Sequence, residues 1–279
     1  MSMNDESPKP KGHAKEWDAA ALALLLGSDD YPEADKFWRS HVAPAYQGML
    51  NHDGFTFDVR DQMFVKPNGR RVAKDDTAKL ALLFLLSVSF LIEVETEKMI
   101  AGELFLPKWQ EFMASTVKNA YLCEAALAVG GFANLTLEDI EVVQGDVGVS
   151  GLADSLERLQ TFAIGVEQGE VRADTNDYVL YRAGLYLTPA RNIFESVRVN
   201  SHVRAVDDKG ELLWKSYRNI LGMAEEHCSS DARSEGCLEV TAAGWQPIGY
   251  LPDIGERRCG CGCKCSWEFS ARSKEELDS

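Results

Sequence analysis

The chain has 279 residues, 45% of them apolar, enough for one large domain or a medium domain with an appendage. Asp and Glu outnumber Lys and Arg by 44 to 29, and the resulting net charge of −15 repels nucleic acid at long range, which weighs against bulk electrostatic DNA binding. The polar N-terminus shows no leader pattern, and the longest apolar run, Leu80 to Ile92, is interrupted by Ser87 and Ser89 and reads as too short to span a bilayer, so a cytoplasmic origin with reduced thiols and no membrane partner is expected.

Residues 1–30 read as a flexible N-terminal arm. Met1 to Lys15 is polar and carries Pro8 and Pro10. Glu16 to Leu26 has the spacing of a short helix with Trp17, Ala20, Ala21, Leu24 and Leu25 on one side, ended by Gly27-Ser28. Such an apolar tip either floats or docks on a partner.

Residues 31–206 read as a helical body with a β-hairpin near 55–72. Asp35 to Asn51 has helical spacing despite Pro44, and Phe55 to Val59 and Gln62 to Val65 alternate in the manner of strands. Pro67-Asn68-Gly69 marks a tight turn, from which Arg70-Arg71-Val72 is expected to return as a partner strand. Asp75-Asp76-Thr77 is expected to cap a helix running to about Ile100, with apolar residues on several sides and Gly102 as its stop. Pro107 suits the first turn of a helix that ends at Gly130-Gly131, with Trp109, Phe112, Met113, Val117, Ala120 and Tyr121 near one stripe. Cys123 lies alone in that helix and reads as a small core residue.

Thr136-Leu137-Glu138-Asp139 resembles a capping box for a short helix to Gln144, and Gly145 to Gly151 is a break. Leu152 to Glu167 is amphipathic. Asp174 to Val206 is the longest periodic stretch, which Pro189 should break near Leu185 to Thr188 because it lacks a backbone donor. It carries Tyr178, and its Tyr181, Tyr186, Arg182, Arg191 and Arg198 could grip an anion. The favoured reading is an aromatic side toward the core and an exposed basic side, with Arg191 and Glu195 a surface pair at i,i+4.

Residues 207–279 form a Cys-rich C-terminal module holding six of the seven cysteines. Leu212 to Ile220 reads as a strand leading into it. Cys228 and Cys237 come first, then a turn-rich connector from Gly244 to Gly255, then Cys259, Cys261, Cys263 and Cys265. Two cysteine groups about two dozen residues apart outline a thiolate knuckle for tetrahedral zinc, although the spacing within each group is not that of a standard finger. Cys228 and Cys237 with two of the later four would make one site, and His227 is a further candidate. Disulfides or free thiols are the alternatives. The module is no basic patch, with 9 basic against 14 acidic residues from Asp207 onward.

Chemistry is harder to find. The five histidines form no ligand pattern, and neither a phosphate loop nor a nucleophile elbow is present. Glu226 beside the cysteines could serve as base for a zinc-bound water, but a site with four available thiolates is normally closed. The composition therefore points to a binding or structural protein, mostly α, without catalytic residues.

The strings Leu221-Gly222-Met223-Ala224-Glu225-Glu226-His227-Cys228, Cys237-Leu238-Glu239, Gly244-Trp245-Gln246-Pro247-Ile248-Gly249, Leu251-Pro252-Asp253-Ile254-Gly255 and Cys263-Lys264-Cys265 resemble the C-terminal signature of tailed-phage minor head proteins, also called head-morphogenesis proteins. The match covers Leu221 to Phe269 and loosens back to Phe55. It departs at Ser229 to Gly236, which reads as an insertion between the first two cysteines, and at Cys261, which is extra. The resemblance implies a protein made in the host cytoplasm and built into the procapsid or virion, contacting portal and capsid proteins and sometimes packaged DNA. It also implies a structural zinc on Cys228, Cys237, Cys263 and Cys265, with Cys259 as the alternate ligand. The rival readings are a zinc-dependent hydrolase or toxin-like enzyme and a zinc-stapled nucleic-acid adaptor.

Overall fold

The structure is a computed structural model that describes residues 43–145, 151–168, 170, 176–187, 189–207, 209–221, 227–231, 234–252, 254, 257 and 265–279. The expected arm 1–30 with its apolar tip, the start of the Asp35 helix, and Glu226, Cys259, Cys261 and Cys263 lie outside the described residues. Helices dominate, as expected. In chain order they are α1 (Ala43–Asn51), α2 (Lys74–Ile100), α3 (Leu106–Val129), α4 (Leu137–Gln144), α5 (Leu152–Glu167), α6 (Asn176–Leu185), α7 (Ala190–Arg204), α8 (Cys237–Ala242) and α9 (Lys274–Leu277).

The organising element is α3. Pro107 sits in its first turn, where a missing N–H costs nothing. Its first half buries one stripe, Trp109, Met113, Val117, Ala120 and Tyr121, whereas from Glu124 to Val129 every residue is buried. Helices α2, α5 and α7 pack around it. Burying each large side chain of that stripe contributes about 2 kcal/mol before the entropy of ordering is counted. Buried Trp109 donates its indole N–H to Thr96 Oγ1 on α2 at 3.0 Å, which satisfies a polar atom that burial would otherwise strand. The helix stops at Gly130, whose φ of 88° is open to glycine; an added Cβ there would stand 2.0 Å from Phe57 Cγ. That glycine lets the hairpin lie against the end of α3.

The hairpin is built differently from the expectation. Strands β1 (Thr56–Asp58) and β2 (Met63–Val65) pair antiparallel with each other, Phe57 opposite Phe64. Asp58 Oδ1 accepts from the backbone N–H groups of Arg60 and Asp61, so the reversal falls at 59–62. The expected return strand after Asn68-Gly69 reduces to one bridge, Val65 to Arg71, and Arg71 turns its charge to Asp58 and Asp61.

Helix α2 also departs from its expected start. It begins at Lys74 after Ala73, with no side-chain cap, and Thr77 falls within its first turn. The helix outruns the apolar stretch Leu80–Ile92, so the expected exclusion of a span on length does not hold: Asp76–Ile100 is long and apolar enough to cross a membrane, with 28% of its most apolar window buried. Its inner side packs on α3 and α6. Leu82, 38% exposed, and Leu91, 49% exposed, lie on opposite sides of the helix; Leu91 borders a groove of about 440 Å³ lined by Tyr46, Leu50, Phe84, Val88, Cys123 and Phe132.

The break at Pro189 occurs as expected, separating α6 from α7. The side assignment holds for Tyr186, which is buried in the core, and fails elsewhere. Tyr178 and Tyr181 face outward, and Glu195 is fully buried and paired with Arg198 at 2.9 Å, so it decorates no surface. The capping box at α4 forms as expected: Asp139 N–H donates to Thr136 Oγ1, and the Asp139 carboxylate accepts from Thr136 N–H.

After α7 the chain builds a three-stranded antiparallel sheet in the order β4 (Gln246–Pro247), β3 (Ser216–Ile220), β5 (Ser266–Ser270). Strand β3 falls inside the stretch expected to be extended; β5, with Trp267 and Phe269 turned inward, was not anticipated. One apolar core fills the helical part, and a second gathers Tyr217, Cys237, Val240, Leu251, Ile254, Cys265, Trp267 and Phe269 with Val199 of α7. The two meet at α7, where Glu195 Oε2 accepts from Trp267 N–H at 3.3 Å and His202 stacks on Phe269 at 3.7 Å.

Candidate metal centre

The described residues between Cys228 and Cys237, 229–231 and 234–236, bring the two cysteines together. Asp231 N–H donates to Ser234 O and Ser234 N–H to Asp231 Oδ1, a tight reversal. Ser230 N–H is held by Glu239 Oε2 at 2.9 Å, and Gly236 N–H by Ser230 Oγ at 2.8 Å. At Gly236 the two arms of the loop come so close that a Cβ would stand 2.3 Å from the carbonyl carbon of Ser229. The long spacer is thereby cancelled, and Cys237 opens α8 with its sulfur 3.6 Å from that of Cys228.

That distance separates two of the chemistries left open by the sequence. A disulfide needs about 2.05 Å between sulfurs. Two thiolates on one tetrahedral zinc, each about 2.3 Å from the metal, stand about 3.8 Å apart. The pair is therefore not an S–S bond; its spacing fits two ligands of one ion and also an S–H···S hydrogen bond between two thiols. The Cys237 N–H also donates to Cys228 Sγ at 3.3 Å.

Cys265 is buried in the same apolar core as Cys237, at the entry to β5. Of the expected set, then, the structure brings Cys228 to Cys237 and places Cys265 in their cluster; Cys263 and the alternate Cys259 lie outside the described residues. Among the described residues no group of three His, Cys, Asp or Glu side chains is gathered in ligand geometry. His227 is half-buried beside Cys228.

Polar groups around the cluster were not anticipated. Buried Arg257 donates from Nη1 to Asn219 Oδ1 at 2.6 Å, Asn219 Nδ2 donates to Thr241 Oγ1 at 2.6 Å, and Thr241 Oγ1 donates to Cys237 O at 2.7 Å. Tyr217 Oη both accepts from Leu251 N–H and donates to Leu251 O, pinning the connector to β3. The one available sequence signal was Asn219, a polar residue at an inward position of an alternating strand.

Elsewhere no reaction centre forms among the described residues. The Cys123 thiol is pushed up to about 12 by burial, with Glu124 adding to the effect, so it stays protonated and is a poor nucleophile. Ser87 donates its hydroxyl to Phe84 O within α2, as expected of a helix serine. Glu124 is completely buried, and burial raises its carboxyl to about 8 against the opposing pull of Arg191. Comparisons with protein-family models, with curated proteins and with solved structures return no match.

Proposed function

We propose that this chain is a structural component of a tailed-phage head, a minor head or head-morphogenesis protein that docks on portal and capsid subunits and carries a zinc-stapled C-terminal module. The motif resemblance over Leu221 to Phe269 supplies the class. The observation that carries the docking role is Leu91, exposed on α2 at the rim of a groove that Phe84, Val88 and Phe132 help to line. An apolar rim and groove of this kind suit a protein partner, and the packing of α3 and α6 on the inner side favours that over a bilayer.

The docking test uses purified portal and capsid proteins. The full chain is expected to bind one of them with an affinity that changes little with salt, and a Leu91→Glu variant to bind about tenfold or more weaker, a loss in the range of a hot-spot residue. A chain that ignores both proteins yet binds DNA with a steep loss at rising salt would instead be a nucleic-acid adaptor. Mass spectrometry of procapsids and virions is expected to find the protein in particles.

The zinc arm is separate. Zinc would be held by thiolates of Cys228, Cys237, Cys263 and Cys265 and would supply only a cross-link that keeps a small apolar core folded. Elemental analysis of reduced protein is expected to give about one zinc per chain, as a single four-thiolate site holds one ion. Cys237→Ser should lose it and Cys261→Ser retain it. Absence of zinc from the reduced wild-type protein would overturn this arm and leave the docking arm standing.

A further inference from the structure

His202 of α7 sits where the helical body meets the C-terminal sheet, and it is 1% exposed. Its ring stacks on Phe269 of β5 with centroids 3.7 Å apart and tilts 5.0 Å from Trp214, just before β3. Nδ1 lies 2.6 Å from Arg198 O, which can only accept, so Nδ1 carries the proton and donates it. Nε2 is then the bare nitrogen; it is buried and has no hydrogen-bond partner.

A second proton would have to go to Nε2, and the surroundings are not fitted to receive the charge. Trp214 offers only an indole N–H, itself a donor. Two cations already lie close: Arg198 stands 5.4 Å over the Phe269 ring, and Lys74 at the start of α2 stands 4.8 Å over the Trp214 ring. The carboxylates on the neighbouring elements are engaged elsewhere, Glu195 with Arg198, Glu268 with Arg218, Asp139 with Arg204 and Asp61 with Arg71. Burial, followed by the charges of Arg198 and Lys74, holds the ring well below the usual histidine range.

We propose that His202 is an acid-sensitive latch: neutral, it fastens Trp214 and Phe269 to α7, and protonation at Nε2 loosens the C-terminal sheet from the helical body. The sign follows from the open chain, in which a histidine takes up its proton near pH 6.5, about its ordinary value. The latch therefore holds in full above that pH and weakens as pH falls below it. One proton changes the opening equilibrium by up to about tenfold per pH unit, hence by up to about 30-fold between pH 6.5 and pH 5.

The test follows amide hydrogen exchange in the full-length chain at pH 7.5 and pH 5.0, for wild type and for His202→Gln, which stays neutral at both. For amides of β3 and β5, the ratio of wild-type to variant opening is expected to grow about tenfold or more on going to pH 5.0. For amides of α3 the same ratio should stay within about twofold, which separates a local latch from loss of the whole fold. A ratio that does not change with pH at the sheet amides overturns the proposal, and so does equal growth in α3. His202→Phe enters the same comparison if His202→Gln does not fold. Should neither fold, the wild-type sheet amides must open increasingly relative to those of α3 as pH drops from 6.5 to 5.0, and parallel behaviour of the two overturns the latch.

Discussion

Asp139→Ala is expected to destabilise the protein by about 4 kcal/mol, within the range for breaking one side of a buried ion pair. The Asp139 carboxylate is fully buried and accepts from Arg204 Nη2 on both oxygens, at 2.8 and 2.9 Å. Asn200 Nδ2 adds a third donor, and Thr136 contributes its backbone N–H and its hydroxyl. One side chain thus closes the capping box of α4 and clamps α4 to α7. The cap alone is worth about 1 kcal/mol, and the rest comes from removing the buried acceptor of Arg204 Nη2 and Asn200 Nδ2, while Glu138 Oε2 still accepts from Arg204 Nη1 at 3.1 Å. Asp139→Asn keeps the shape and should fall between. Urea unfolding checks this: a loss under about 1 kcal/mol would place the pair in the class of surface bridges and refute the argument.

The second large effect is pH-dependent. Glu124 sits between Tyr46 of α1, which donates to its Oε1 at 3.4 Å, and Arg191 and Glu195 of α7, with Cys123 beside it on α3. Burial is the dominant influence and lifts its carboxyl from 4.5 to about 8. In the folded protein the group keeps its proton well above the pH at which the unfolded chain loses it. Its stabilising protonated form is fully available below pH 4.5 and is lost as pH rises to about 8. Stability should therefore fall with rising pH across that window, at up to about 1.4 kcal/mol per pH unit. Glu124→Gln mimics the protonated group, so its stability relative to wild type should grow from pH 5 to pH 8 and level off above. A difference that stays constant across that range would show that Glu124 does not hold its proton.

Much of the helical body was legible because its punctuation is local. Pro107 and Gly130 bracket α3, Thr136 and Asp139 open α4, and Pro189 parts α6 from α7; each acts through its own backbone chemistry, whatever lies around it. The side of α7 that faces inward was not legible. Its carboxylate and guanidinium groups follow the spacing of surface pairs, and only the packing of β5 on α7 makes Glu195 an interior residue. Strand β5 was hidden for a similar reason: its partner β3 lies some fifty residues earlier, and five alternating residues next to a cysteine run give no local sign of pairing. At the metal centre, residue type pointed to Cys228 and Cys237, but their approach depends on a loop whose closure rests on Ser230, Glu239 and Gly236. The burial of Arg257 beside Asn219 and Trp267 could be seen only once those neighbours were known.

The bond between Glu195 and Trp267 also has a place in time. A ribosome releases the chain from its N-terminus, so α7 emerges while its last donor is still 72 residues from being joined to it. At about 5–20 residues per second that interval lasts several seconds. During it the bundle can assemble, but Glu195 lacks the strand that completes its surroundings, and Val199 and His202 lack the sheet residues they pack on. The nascent body therefore waits for its own tail, and in that interval it is most open to chaperones, proteases and premature association with other subunits.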